Sequence, residues 1–421
     1  MVSICILAIS QIGSGCTSAE KRYSIMKTSD KTLHEWALVS LGQVSDIIMG
    51  QSPPSNNVID QQIGLPFYQG KTDFGDVHPI PTVYCLKPLK IAEPEDILIT
   101  VRAPVGAVNT NHTRAVIGRG IASIRPHRDR LLSNFLFYVM QSPKISSYWK
   151  QIKQGSTFDA INKDSLESLK IPLPPLPVQR RIAEILGSVD SIILVRKTLV
   201  EKLRLLMNNI MQDQFSRLAG NRTTIGDIAE VQTGPFGSLL KSSSFAAEGV
   251  PVLNIGNVKQ GFLDTTSLSF VNDGTATALK NYRLRQGDLL FSRMATVGRT
   301  CIVPEDAEGW LMSYHLIRLR IRDENILPQY VMYSLIGSPK IQHQVAIQAS
   351  GGTRSGVNTS ILEGLVIDVP SLDSQKKLVN SLDVIQKRIA HGDVLIKQYE
   401  TLRDSLLNKL LSHQSREVLT I

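Results

Sequence analysis

Ser142-Pro143-Lys144-Ile145 recurs letter for letter as Ser338-Pro339-Lys340-Ile341, an offset of 196 residues. That offset runs on without a gap through Asn162 and Asn358, Leu166 and Leu362, Pro174 and Pro370, and Gln179 and Gln375. Upstream the register drifts. Leu41-Gly42-Gln43-Val44-Ser45 matches Ile225-Gly226-Asp227-Ile228-Ala229 at an offset of 184, with Gly50 falling on Gly234. Asp96-Ile97-Leu98 matches Asp288-Leu289-Leu290, and Val105-Gly106 matches Val297-Gly298, at 192. A period of nearly half the chain is a duplication. The drift implies insertions in loops of the second copy.

Each copy reads as a globular part followed by a long helix. The globular parts carry short apolar, β-branched runs such as Ile97-Leu98-Ile99-Thr100-Val101, broken by Gly, Pro and Asn. From Leu316 to Arg322 the pattern alternates, Ile317, Leu319 and Ile321 against Arg318, Arg320 and Arg322. It predicts a half-buried strand whose basic face is solvated rather than a DNA-contacting stripe. After Pro172-Leu173-Pro174-Pro175-Leu176-Pro177 a helix is expected, proline suiting its start. Its apolar seam is Ile182, Leu186, Val189, Ile193, Val200, Leu203, Met207 and Ile210, interrupted only by Arg196. The second copy answers with Leu378, Leu382, Ile385, Ile389, Gly392, Ile396, Tyr399, Arg403 and Leu406, after an Asp373 that can cap the helix. A 3.5-residue spacing is the coiled-coil pattern. Ile185, Ile192, Leu199 and Leu206 widen the first face, as further partners would require. Duplicated units related by a pseudo-two-fold axis lay their helices antiparallel, with one head at each end. Val178 to Phe215 would span about 57 Å at about 1.5 Å per residue. The expected fold class is α+β: two mixed α/β domains separated by two long helices forming an antiparallel coiled coil.

The chain is long enough, at 421 residues, for more than one core, and 42% hydrophobic with 20% charged residues suits a globular protein. A net charge of +9 makes a polyanionic partner plausible, but the excess is spread: residues 35–171 and 219–370 are each close to balanced. Cys5, Cys16, Cys85 and Cys301 form no CxxC pair, so neither a disulfide framework nor a zinc site is indicated and a reducing cytoplasm fits. Val2–Ile12 is apolar but lacks a basic n-region, and nothing approaches the roughly 20 apolar residues of a membrane span. Residues 1–35 are expected to be a leader outside the fold, with Met26 a plausible start, and residues 413–421 a tail.

Catalytic patterns fail one by one. Gly64-Leu65-Pro66-Phe67-Tyr68-Gln69-Gly70-Lys71-Thr72 has the look of a phosphate loop, with one residue too many between its glycines and no helix pattern behind it. Metal-like histidine spacing, a GxSxG elbow and a GxGxxG turn are missing, as is the Asn/Asp-Pro-Pro-aromatic segment of amino-methyltransferases. Pro94-Glu95-Asp96 has no Glu-x-Lys after it, so a nuclease site finds no support.

The repeated head, the Pro-rich lead into Val178-Gln179-Arg180-Arg181-Ile182 and its echo Ser374-Gln375-Lys376-Lys377-Leu378 resemble the specificity subunits of type I restriction-modification systems. Val231-Gln232-Thr233-Gly234-Pro235-Phe236-Gly237-Ser238 adds to the likeness, which covers residues 36–412. The resemblance implies a non-catalytic subunit without cofactor or metal. Two target-recognition domains, 36–171 and 219–370, would each read one half of a bipartite site in double-stranded DNA. Helices 172–218 and 371–412 would set the spacer and dock methyltransferase subunits, and a restriction/translocase subunit would join the complex. Base edges are read by forked or amide side chains, and phosphates are held by Lys and hydroxyls. The candidates are therefore Gln69, Lys71, Thr72 and Arg102 in the first domain, and Asn254, Asn257, Lys259, Arg293, Thr353, Arg354 and Ser355 in the second. Arg102 falls opposite Met294, not Arg293. Two alternatives stay open from the residues alone: a methyltransferase or nuclease with an unfamiliar active site, and a coiled-coil scaffold that binds only protein.

Overall fold

The computed structural model describes residues 36–155, 160–236, 239–294, 297–350 and 356–411, so the expected leader and tail lie outside the described residues. The chain divides into two compact units, residues 1–188 with 403–421, and residues 189–402.

In the first unit β1 (Leu38–Ser40) pairs antiparallel with β8 (Lys170–Pro172), tying the start of the domain to its end. Between them lie β2 (Ser45–Met49), β3 (Leu65–Tyr68), β4 (Ile97–Thr100), β5 (Val108–Thr110), β6 (Ala115–Ile117) and β7 (Ile121–Pro126). One sheet has the order β2-β7-β4-β5, and a second is built around the parallel pair β3–β6. β4 explains its unbroken apolar run. Ile97 and Ile99 enter a core with Phe135 and Leu136 of α1 (Ser133–Met140), while Leu98 faces a separate core with Tyr68, Ile117 and Ile121. A strand covered on both faces has no polar side. α2 (Pro143–Gly155) follows, opening on the repeated Ser-Pro-Lys-Ile.

The second unit repeats the plan. β9 (Asn221–Thr224) pairs with β16 (Val366–Val369). The central sheet runs β10 (Ala229–Thr233), β15 (Leu316–Ile321), β12 (Leu289–Ser292), β13 (Thr300–Ile302). β11 (Val250–Leu253) pairs parallel with β14 (Leu311–Met312). Helices α4 (Pro328–Gly337) and α5 (Pro339–Ser350) complete it. The drift in register is real insertion. A helical turn at Asp273–Ala278 and a 3-10 turn at Glu305–Ala307 sit between strands that the first unit joins more directly.

Two long helices close the units: α3 (Leu176–Arg217) and α6 (Leu372–Leu411). Pro177 stands in the first turn of α3, where its missing N–H costs nothing. At α6 the expected cap is corrected. Asp373 lies inside the first turn, where its charge suits the helix dipole, and the Ser371 hydroxyl accepts from the Ser374 backbone N–H at 3.4 Å instead. In the first unit Ile182 and Leu186 are fully buried together with Leu407 and Leu410. In the second, Val189, Ile193, Val200, Met207, Leu378, Leu382, Ile389 and Ile396 are buried. Leu203, Ile385 and Tyr399 are half-buried. Ion pairs fix the direction as antiparallel, Lys197 to Glu400 at 2.7 Å and Arg204 to Asp393 at 2.7 Å, seven residues apart on each helix. Gly392 interrupts its seam for a reason: a Cβ there would stand 2.4 Å from Val200 Cγ2.

The expected solvated face of β15 is also corrected. Arg318 is buried, its Nη2 donating to Glu230 at 2.5 Å, and half-buried Arg320 clamps buried Asp288 through two bonds of 2.7 and 2.6 Å; only Arg322 is exposed. Burial and neighbouring Arg320 lower the pKa of Arg318, whereas the hydrogen bond to Asp288 raises that of Arg320. The first unit uses the same clamp, Arg125 gripping buried Asp96 at 2.9 and 2.9 Å.

Candidate nucleic-acid interface

The loops at the ends of β2, β3, β4 and β6, and their counterparts at the ends of β10, β11, β12 and β14, are held by the same backbone bonds. Gly50 N donates to Ile121 O at 2.9 Å, and Gly234 N to Leu316 O at 3.1 Å. Gly118 N donates to Tyr68 O at 2.8 Å, and Ser313 N to Leu253 O at 2.8 Å. Val101 N donates to Gly120 O at 2.9 Å, and Arg293 N to His315 O at 3.1 Å. Both matched glycines are obligatory. A Cβ on Gly50 would lie 2.2 Å from Gly118 O, and one on Gly234 2.2 Å from Ser313 O.

On the first scaffold Gln69, Lys71 and Thr72 are exposed on the turn that follows β3. That turn is built by Asp73, whose Oδ2 accepts from the N–H groups of Gln69 and Gly70 at 2.6 and 3.0 Å. The Gln69 carbonyl comes so close to Gly120 that a Cβ there would stand 2.2 Å away. Val101, the neighbour of exposed Arg102, bonds the same Gly120, so the backbones bearing Gln69 and Arg102 both meet it, while Lys71 and Thr72 continue the turn.

The second scaffold sorts its candidates differently. Asn254 occupies the corresponding turn, half-buried, with its Nδ2 donating to Ser269 Oγ at 3.1 Å. Asn257 is corrected: it is buried, its Oδ1 accepts from Asn254 N at 2.8 Å, and its Nδ2 donates to the carbonyls of Asp264 and Ser267 at 2.9 and 2.8 Å. It does for this turn what Asp73 does for the other, and no donor remains for a base. Lys259 is half-buried and pairs with Asp264 at 3.6 Å on a hairpin that packs on α6, where Gln386 reaches the Gln260 carbonyl at 3.4 Å. Arg293 stands in the place of Val101, so Arg102 does answer to Met294. Its Nε is buried without a hydrogen-bond partner among the described residues, and burial together with its cation lowers the pKa of His315. Thr353, Arg354 and Ser355 lie outside the described residues.

Sequence reasoning missed the residues next to the matched glycines. In the first domain Arg119 donates through its backbone N and Nε to Ser52 Oγ at 3.3 and 3.4 Å. In the second, exposed Phe236 and Tyr314 stack with centroids 6.4 Å apart, and Tyr314 meets His315 at 3.8 Å. The signal was present in the Gly50/Gly234 match, two residues short of Ser52 and Phe236.

One scaffold, built twice and bearing different exposed side chains at equivalent loop positions, defines a class of double-headed recognition proteins. The chain belongs to the type I restriction modification DNA specificity domain family, whose model matches residues 34–204 and again 221–395. A chain of Methanocaldococcus jannaschii assigned as the specificity subunit of the type I restriction enzyme MjaX is 42% identical over 181 residues, 42% of this chain and 42% of that one. This chain therefore matches less than half the length of that relative. The MjaVIII type I restriction enzyme specificity subunit of the same organism is 25% identical over 303 residues, covering 67% of this chain and 70% of the relative. Among solved structures, the S subunit of a type I restriction-modification system from M. genitalium has a TM-score of 0.63 at 16% identity, covering 91% of this chain and 98% of that one. At that identity the likeness is one of fold.

Proposed function

We propose that this chain is the DNA specificity subunit of a type I restriction-modification complex. Residues 36–171 and 219–370 each read one half of a bipartite target, and helices 172–218 and 371–412 set the distance between the halves. The observation that carries the reading is the duplicated loop scaffold with different side chains on it. Two readers of one architecture and unlike chemistry suit two unlike half-sites separated by unread base pairs. Gln69, Lys71, Thr72 and Arg102 are its base and phosphate contacts in the first domain. Asn254, Arg293, Thr353, Arg354 and Ser355 serve in the second, and Lys259, on its α6-facing hairpin, is at most a phosphate contact.

The helix pair supports docking of methyltransferase subunits. Ile192, Val195, Leu199 and Leu206 are 40, 66, 47 and 48% exposed along one α3 face. Apolar surface at that spacing suits a partner. A restriction/translocase subunit completes the complex, which works in the cytoplasm beside the chromosome. The test is co-expression with the cognate methyltransferase subunits followed by methylation mapping. A bipartite, gapped motif is expected from the complex and no methylation from this chain alone. Methylation or cleavage by the isolated chain would instead make it an enzyme, and a complex without sequence preference would make it a scaffold.

A further inference from the structure

The two copies differ in chemistry at one matched pair of positions beside the fixed glycines. Gly50 and Gly234 make the same backbone bond, so Ser52 and Phe236, two residues on, hold equivalent places. Ile121 N donates to Gly118 O and Leu316 N to Ser313 O, each at 3.0 Å, which places Arg119 opposite Tyr314. The first domain thus presents a hydroxyl and a guanidinium where the second presents two aromatic rings, 57 and 38% exposed. Large exposed rings are costly to hydrate, and among the described residues of their own unit nothing covers more of them. Tyr314 meets both Phe236 and His315, so the three rings form one exposed apolar cluster at this position. In the major groove the base-pair feature that fits an apolar edge is the thymine methyl, whereas an arginine suits guanine or a phosphate.

We propose that Phe236 and Tyr314 contact the 5-methyl group of a thymine in the second half-site, and that Ser52 and Arg119 give the first domain a polar reader at the same place. The proposal rests on the specificity-subunit reading. It adds a residue pair that sets which base each domain prefers.

The experiment uses the assembled complex with its methyltransferase subunits and target duplexes in which each thymine of either half-site is replaced in turn by deoxyuridine, which lacks only the methyl. Loss of one buried methyl contact is expected to lower kcat/KM for methylation about fourfold at a thymine of the second half-site. Phe236→Ala and Tyr314→Ser should each reduce that sensitivity while leaving the response of the first half-site unchanged. Should either variant fail to assemble, 5-iodouracil at the sensitive position of the unaltered complex should photocrosslink to Phe236 or Tyr314. A second half-site without thymine, indifference to every deoxyuridine in it, unchanged sensitivity in both variants, or a crosslink elsewhere overturns the proposal. A complex with a gapped motif but no methyl sensitivity sinks this proposal alone, while a complex without any motif sinks the specificity-subunit reading beneath it.

Discussion

Gln179 and Gln375 show how a side chain shared by both copies holds each domain to its helix. Both are fully buried. Gln179 Oε1 accepts from Leu132 N at 2.9 Å, and its Nε2 donates to the carbonyls of Arg130 and Pro174, each at 2.8 Å. Gln375 repeats this with Leu327 N at 2.9 Å and the carbonyls of Asn325 and Pro370, each at 3.0 Å. All the polar atoms of the amide are used to join the start of a long helix to the loop before α1 or α4. Gln375→Ala takes this partner from the part-buried Leu327 N–H and from two carbonyls, at about 1–3 kcal/mol for each group that water does not reach. Chemical denaturation should show the loss, and a variant as stable as the parent would refute the clamp. His315 gives a pH dependence with a defined sign. Its folded-state pKa lies below the unfolded value, so the unfolded chain binds the proton more tightly. Stability is therefore full above about pH 6.5 and falls on acidification below it, and His315→Gln should flatten that part of the profile. An unchanged slope between pH 6.5 and 5 in the variant would remove His315 from the account.

The long helices were legible because a seven-residue pattern over some forty residues leaves little else for the chain to do. Ile182, Leu186, Val200, Leu378, Leu382 and Ile396 are buried as the spacing requires. β15 was half legible. Its alternation was right, but a period of two cannot tell a solvated arginine from one paired beneath a second layer. Arg318 and Arg320 are covered because Glu230 and Asp288 arrive from β10 and the lead into β12, a strand order that no local pattern reveals. Asn257 misled for a related reason, since an amide in a loop looks the same whether it reads a base or braces its own turn. The helix pair also carries a length prediction. One heptad inserted after Val200 and one after Ile396, opposite it in the antiparallel pair, keeps the seam in phase. The insertion adds about 10.5 Å, or roughly 3 base pairs of duplex. Methylation assayed on DNAs of graded spacer length should favour the longer spacer with unchanged half-sites. An active variant that still prefers the original spacer contradicts a spacing role for α3 and α6.

For the molecule as a whole, the duplication read from Ser142-Pro143-Lys144-Ile145 and its copy is the organising fact. It reappears in matched strand orders, matched Arg–Asp clamps and matched glutamine anchors. The loop chemistry was far less legible, because equivalence of Arg119 and Tyr314 depends on backbone bonds between strands distant in sequence. A scaffold repeated so closely with its loops varied should be modular. The decisive measurement is methylation mapping of a complex in which residues 36–171 are replaced by the corresponding domain of a related subunit with a different target. The expected motif carries a new first half, the original second half and the original spacer. A motif changed in both halves, or unchanged in both, would contradict independent reading by two domains.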